Sequence, residues 1–91
     1  MSEAKTTTNH NTIRQWIEER GGQPASVVGT GTAKEAGILR VDFPPDDERL
    51  EEIDWEGFFD KFDQEDLAFL YQEHTIDGET SRFCKFIRKP R

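Results

Sequence analysis

Two histidines, one cysteine, a glycine-rich run and a dense set of carboxylates are the side chains of this sequence that could carry chemistry. His10, His74 and Cys84 stand apart, without the CxxC, HxxxH or HxH spacing by which short segments hold zinc. Asp46-Asp47-Glu48 offers oxygen ligands but lacks the spacing and the glycine of a calcium loop. Gly29-Thr30-Gly31 misses the third glycine of a dinucleotide fingerprint, Lys34 is not placed as in a phosphate loop, and the run leads into a strand rather than a helix. No metal and no cofactor is therefore expected. A two-residue turn at Asp77-Gly78 would set His74 opposite Ser81 with Asp77 beside them. Those are the residue types of a hydrolase triad, but a hairpin end supplies neither an oxyanion hole nor a dry pocket. Cys84 falls opposite Tyr71 in the same register, where a buried thiol behaves as a small apolar residue rather than a nucleophile. These features favour a binding protein over an enzyme.

Charge outlines two binding surfaces. From Asp42 to Asp66 twelve Asp and Glu stand against Arg49 and Lys61, whereas Thr80 to Arg91 holds five Lys and Arg and no acid; the net charge is −7. The acidic stretch suits a protein partner, with Glu51, Glu52, Asp60 and Asp63 as its surface and Trp16 or Tyr71 as aromatic anchors wherever they reach solvent. Arg82, Lys85, Arg88, Lys89 and Arg91, interleaved with Phe83 and Phe86, are instead the materials for stacking on single-stranded nucleic acid. The overall negative charge opposes that alternative, because phosphate contacts dominate such affinity. A lone cysteine forms no internal disulfide, and no apolar run approaches the roughly 18 residues that cross a bilayer. Met1–Thr8 lacks the apolar core of a signal peptide. A cytoplasmic monomer is the expectation.

The elements that would position these residues follow from apolar spacing. The 91 residues suffice for one domain whose core rests on seven Phe and two Trp. In Ile53–Glu73, Trp55, Phe58, Phe59 and Phe62 fall on one helical stripe, Asp54 is the N-cap, and Ile53 can staple onto Phe58. A first helix over Asn11–Arg20 carries Ile13, Trp16 and Ile17, with Asn9, Asn11 or Thr12 as cap and Gly21-Gly22 and Pro24 as its stop. Ala25–Val28 and Ile38–Phe43 form one hairpin across the glycine-rich loop, and Pro44-Pro45 ends it. Asp46–Glu52 is read as an acidic connection. Leu67–Glu73 and Ser81–Lys89 form a second hairpin that pairs Phe69 with Phe86, Tyr71 with Cys84, Leu70 with Lys85 and Glu73 with Arg82. Its other face, with Ala68, Phe83 and Ile87, is partly apolar and could take a covering helix. The fold class is α+β: residues 1–8 a disordered lead-in, 9–89 one α-β-β-α-β-β domain with two helices on an antiparallel sheet of two hairpins, 90–91 a tail.

Asn9-His10, Ile13-Arg14-x-Trp16, Glu18-Glu19-Arg20-Gly21-Gly22-x-Pro24-Ala25, Gly29-Thr30, Leu39-Arg40-x-Asp42-Phe43, Trp55-x-x-Phe58-Phe59-x-x-Phe62 and Leu67-Ala68-x-Leu70-Tyr71-Gln72 together resemble a family of small bacterial proteins with no established activity. The similarity covers nearly all of Thr6 to Lys89. Some members of that family are labelled 1,4-α-glucan branching enzyme, so the resemblance implies a bacterial α+β domain and, through the label, an association with carbohydrate. It brings no catalytic residues, since branching enzymes work on a (β/α)₈ barrel of about 250 residues.

Overall fold

A computed structural model describes residues 4–32 and 37–89. Eight elements follow one another: β1 (Ala4–Thr7), α1 (His10–Glu19), β2 (Gln23–Val27), β3 (Leu39–Asp42), β4 (Leu50–Glu52), α2 (Trp55–Gln64), β5 (Leu67–Gln72) and β6 (Cys84–Arg88). They build two three-stranded antiparallel sheets, in the orders β1-β5-β6 and β3-β2-β4. The shortest dimension is 18 Å, enough for one layer of helix on one layer of sheet. The α+β class, both helices and both hairpins are as expected, with two more strands and a second sheet. Ala4–Thr7, expected in the disordered lead-in, pairs with β5. Leu50–Glu52, expected as connection, pairs with β2. Ala33–Ala36, expected in the loop, and the 90–91 tail lie outside the described residues.

The helix ends follow local chemistry. Asn9 Oδ1 accepts from the Thr12 amide (2.9 Å) and Asp54 Oδ1 from the Gly57 amide (2.7 Å), so each helix has a side-chain acceptor for an orphan donor. Helix α1 closes with the Gly21 amide donating to the Glu18 carbonyl and the Gly22 amide to Ile17. This six-residue closure needs the left-handed conformation that Gly21 adopts at φ 71°. Gly22 is required for a different reason: a Cβ there would meet the Phe43 ring at 2.9 Å. After α2 the same left-handed position is taken by Asp66, at φ 51°. Ile13, Trp16 and Ile17 of α1, Phe58 and Phe62 of α2, Phe69 and Tyr71 of β5 and Leu39 of β3 form one buried cluster. Both helices therefore pack on the Phe69–Tyr71 side of β5. Among the described residues neither helix packs on the opposite side, where Ala68 is buried, Leu70 and Ile87 are half-buried and Phe83 is 48% exposed.

The second hairpin keeps its expected register along the strands, with Phe69 opposite Phe86, Leu70 opposite Lys85 and Tyr71 opposite Cys84. Its end departs from expectation. Gly78, at φ 86°, donates to the Thr75 carbonyl while Thr75 donates to Glu79, which makes a three-residue loop and places His74 opposite Thr80 instead of Ser81. The offset is absorbed near Ser81 and Arg82: the Ser81 amide donates to the Glu73 carbonyl, and the next bond runs from Gln72 to Phe83, leaving Arg82 as a bulge instead of the partner of Glu73. Arg20 fills this irregularity. Its guanidinium donates to the carbonyls of Trp16 (3.0 Å), Glu73 (3.0 Å) and Ser81, and lies 4.2 Å above the Trp16 ring.

The chain repeats one arrangement twice. Helices α1 and α2 have equal length and begin 45 residues apart (10 to 55), and the same shift carries the pairs Ala25–Arg40 and Ser26–Leu39 onto Leu70–Lys85 and Tyr71–Cys84. Ile13 and Ile17 correspond to Phe58 and Phe62, all buried. Each β-α-β-β unit gives its first strand to the hairpin of the other: β1 joins β5-β6 and β4 joins β2-β3. The helices meet with the same reciprocity. His10 stacks on Phe59 (4.1 Å between centroids) and Arg14 lies 5.4 Å over Trp55, position for position what a two-fold relation produces.

Two stability predictions follow from these contacts. Arg20→Lys leaves carbonyls at the hairpin end unmatched by a planar fork and costs about 3 kcal/mol in urea unfolding. Asp66→Gly removes the left-handed penalty after α2 and raises stability by up to about 1 kcal/mol in the same assay.

Candidate functional site

The exposed acids divide between two places. Asp60 and Asp63 stand on the solvent side of α2, while Glu51 and Glu52 lie on β4, the outer strand of the other sheet, opposite Ser26 and Ala25. Asp60 borders a shallow hollow of about 330 Å³ between the helices, together with His10, Arg14, Trp55, Glu56 and Phe59. Asp63 Oδ1 accepts a 2.9 Å hydrogen bond from His10 Nε2, in the tautomer that carries the proton there, and so holds the imidazole at the end of a ladder. The ladder runs Arg14, Trp55, Phe59, His10, with Trp55 and Phe59 stacked at 5.5 Å. Trp55 and Phe59 are half-buried, because the α2 stripe is wider than the core that receives Phe58 and Phe62.

Trp16 and Tyr71 are not surface anchors. Trp16 is 2% exposed, its Nε1 donates to the Gln72 carbonyl (3.1 Å), and its ring meets Phe43, Phe69 and Tyr71 edge-on. Tyr71, 8% exposed, stacks beside Phe69. Both lie on the inward positions of their elements, so burial takes them before a partner could. On the helix face the aromatic residues that do reach the surface are Trp55 and Phe59, and their helical stripe was the signal for them.

The basic residues gather elsewhere. Strands β3 and β6 each end a sheet, and two hollows of about 350 and 440 Å³ lie against both strands. Arg40 and Phe86 line both hollows, which makes them one cleft. Arg88 and Lys61 line the first hollow, Arg82 and Lys85 the second. Lys89 is exposed but borders neither; its amide donates to the Asp66 carbonyl (2.8 Å). Arg91 lies outside the described residues. Arg40 was not foreseen, since an outward Arg on an alternating strand carries no signal of what the neighbouring sheet brings opposite it.

No catalytic arrangement forms around the candidate nucleophiles. Ser81 is buried, its Oγ donating to Gln72 Oε1 (2.8 Å) and accepting from the Phe83 amide (3.0 Å). His74 is exposed and paired across the hairpin with Thr80. Burial pushes the Cys84 thiol up to about 11, only partly countered by the nearby Arg20 charge. Among the described residues no three His, Cys, Asp or Glu side chains converge as metal ligands, and no helix is long and apolar enough to cross a membrane.

No family model, curated protein or solved structure matches the chain, so its own geometry carries the functional reading.

The Cys84 environment has a measurable consequence. At pH 8 a thiol with this pKa is about one part in 1,000 thiolate, so alkylation by iodoacetamide is slow in the native protein and accelerates in urea. The folded value lies above the 9.0 of a free thiol. Its contribution to stability is therefore intact below pH 9 and is lost as the pH rises through 11. Wild type should lose about 2 kcal/mol more than Cys84→Ala across that window in pH-dependent denaturation.

Proposed function

We propose that this domain is a non-catalytic protein-binding module whose helix face receives a basic segment of a partner. The observation that carries the proposal is the pair of half-buried rings, Trp55 and Phe59, in a hollow bordered by the carboxylates of Glu56 and Asp60, with Asp63 beside it and the rim's Arg14 paired with Glu18 (3.3 Å). Interface energy concentrates where aromatic side chains sit inside a polar rim, and an acidic rim selects for Lys and Arg. Glu51 and Glu52, on β4, do not border this hollow and act through the general negative field. A carbohydrate-associated role, the reading that the family resemblance suggests, would use the same rings as a platform. Sugar stacking wants a bare ring face, whereas Trp55 lies between Arg14 and Phe59, and Phe59 between Trp55 and His10. The ladder therefore favours a peptide that meets ring edges and carboxylates.

Selection of displayed peptides on the wild-type protein, counter-selected on Asp60→Lys, tests the proposal. Enriched sequences should be rich in Lys and Arg, shift amides across residues 55–63 in NMR spectra, bind at least tenfold more weakly to Trp55→Ala or Asp60→Lys, and weaken with salt. Shifts produced over that region by maltooligosaccharide instead, or a selection without basic enrichment, would overturn it.

A further inference from the structure

Strands β3 and β6 both present a free edge to the basic cleft. The bonds from Gln72 to Phe83 and from Lys89 to Asp66 bracket β6, and with its register they place the bonded pairs at Phe83, Lys85 and Ile87. The amides and carbonyls of Cys84, Phe86 and Arg88 consequently point away from β5, into the cleft. On β3 the bond from Val27 to Ile38 sets the same alternation, and the main-chain groups of Leu39 and Val41 point outward, where the Leu39 carbonyl accepts from Arg40 Nη1 (2.8 Å) and β6 is left as the more open edge. Among the described residues no backbone hydrogen bond joins the two edges. Free edges of this kind are templates for another strand.

The cleft's charge selects the occupant. Arg40, Arg82, Lys85 and Arg88 are exposed along it, and among the described residues Glu65, 3.4 Å from Lys61, is the one carboxylate lining it. This concentration of cations lies on a chain of net charge −7. Its floor is apolar, with Leu39, Val41, Phe43 and Phe86. Single-stranded nucleic acid would need open ring faces. Phe86 instead turns its ring onto Phe58, Phe62 and Phe69, Phe43 lies under Arg82, and the exposed Phe83 does not line the cleft. What the cleft provides is main-chain donors and acceptors in a row, apolar contacts beneath, and cations at both rims.

We infer that the cleft between β3 and β6 binds an extended acidic polypeptide segment, which adds as a strand to the edge of β6. Alternate side chains of an added strand point the same way and repeat about every 6.6 Å. A segment with Asp or Glu at every second position would set its carboxylates toward Arg40 and Lys85, on the face away from the core, while its apolar positions meet the floor on the Phe86 side. This site is separate from the helix-face hollow and opposite to it in charge preference, so the two stand or fall independently.

The probe is a dye-labelled decapeptide of alternating Glu and Val, compared with its Lys–Val counterpart and with a fifteen-nucleotide oligo-dT. Anisotropy should report binding of the Glu–Val peptide alone, at least tenfold weaker for Arg40→Glu/Lys85→Glu. These are exposed positions, and circular dichroism melting checks that the variants remain folded. Native-state hydrogen exchange supplies the decisive readout: the Phe86 and Arg88 amides should exchange at least tenfold more slowly in the complex. Binding of oligo-dT in preference to the peptide, peptide binding that leaves those two amides unprotected, or no binding of any probe would each overturn the inference. In the last case the cationic rims serve to keep the two edges from pairing.

Discussion

The buried guanidinium of Arg20 is the contact on which the relation between the two halves of this protein depends. It sits at the C-terminal end of α1, where a positive charge is favoured, and it spends its donors on three backbone carbonyls instead of a carboxylate. Two of those carbonyls, Glu73 and Ser81, belong to the other unit's hairpin, at the point where the ladder slips by one residue. A slip that would otherwise leave buried acceptors without donors is thus satisfied from outside the sheet. Glu19 lies 3.7 Å away at the surface and is secondary to those bonds. The position equivalent to Arg20 in the second unit is Glu65, which is exposed, so this contact is made once and breaks the symmetry of the two units.

Reciprocal exchange of first strands explains why a chain with only a third of its residues hydrophobic holds together as one domain. Neither β-α-β-β unit completes a sheet with its own strands. β1 is satisfied by β5 and β4 by β2, while the ladder of Arg14, Trp55, Phe59 and His10 clips the helices across the same divide. Burial in one half is therefore contingent on the other, and unfolding one unit exposes edges in both.

The same topology sorts charge. Acids on α2 collect on the helix layer, whereas the ends of the two sheets that face each other carry Arg40, Lys85 and Arg88. The net charge of −7 does not spread into a uniformly acidic surface. Instead the strand order brings together cations that are more than forty residues apart in sequence, and the result is one acidic and one basic face.

Local chemistry was readable in advance. Asp54, and Asn9 among the three candidates for α1, cap because an acceptor three residues before an unpaired amide is favourable wherever it occurs, Gly21 ends α1 because its conformation is left-handed, and Leu67–Tyr71 meets Cys84–Arg88 in the expected register although the loop that joins them is one residue longer than the turn expected to set it. The buried aromatic residues of α2 were equally visible in their spacing. Other features depend on partners distant in the chain. Ala4–Thr7 and Leu50–Glu52 have no pattern of their own and become strands because β5 and β2 offer unpaired edges. Asp42, on the solvent side of its strand by alternation, is buried where the Asp47 amide reaches back to it at 3.3 Å. Whether Trp16 faces solvent or core, and whether Arg40 meets water or another sheet's cations, depends on which surfaces the fold presses together. Periodicity tells which residues share a face of one element, but not what that face meets.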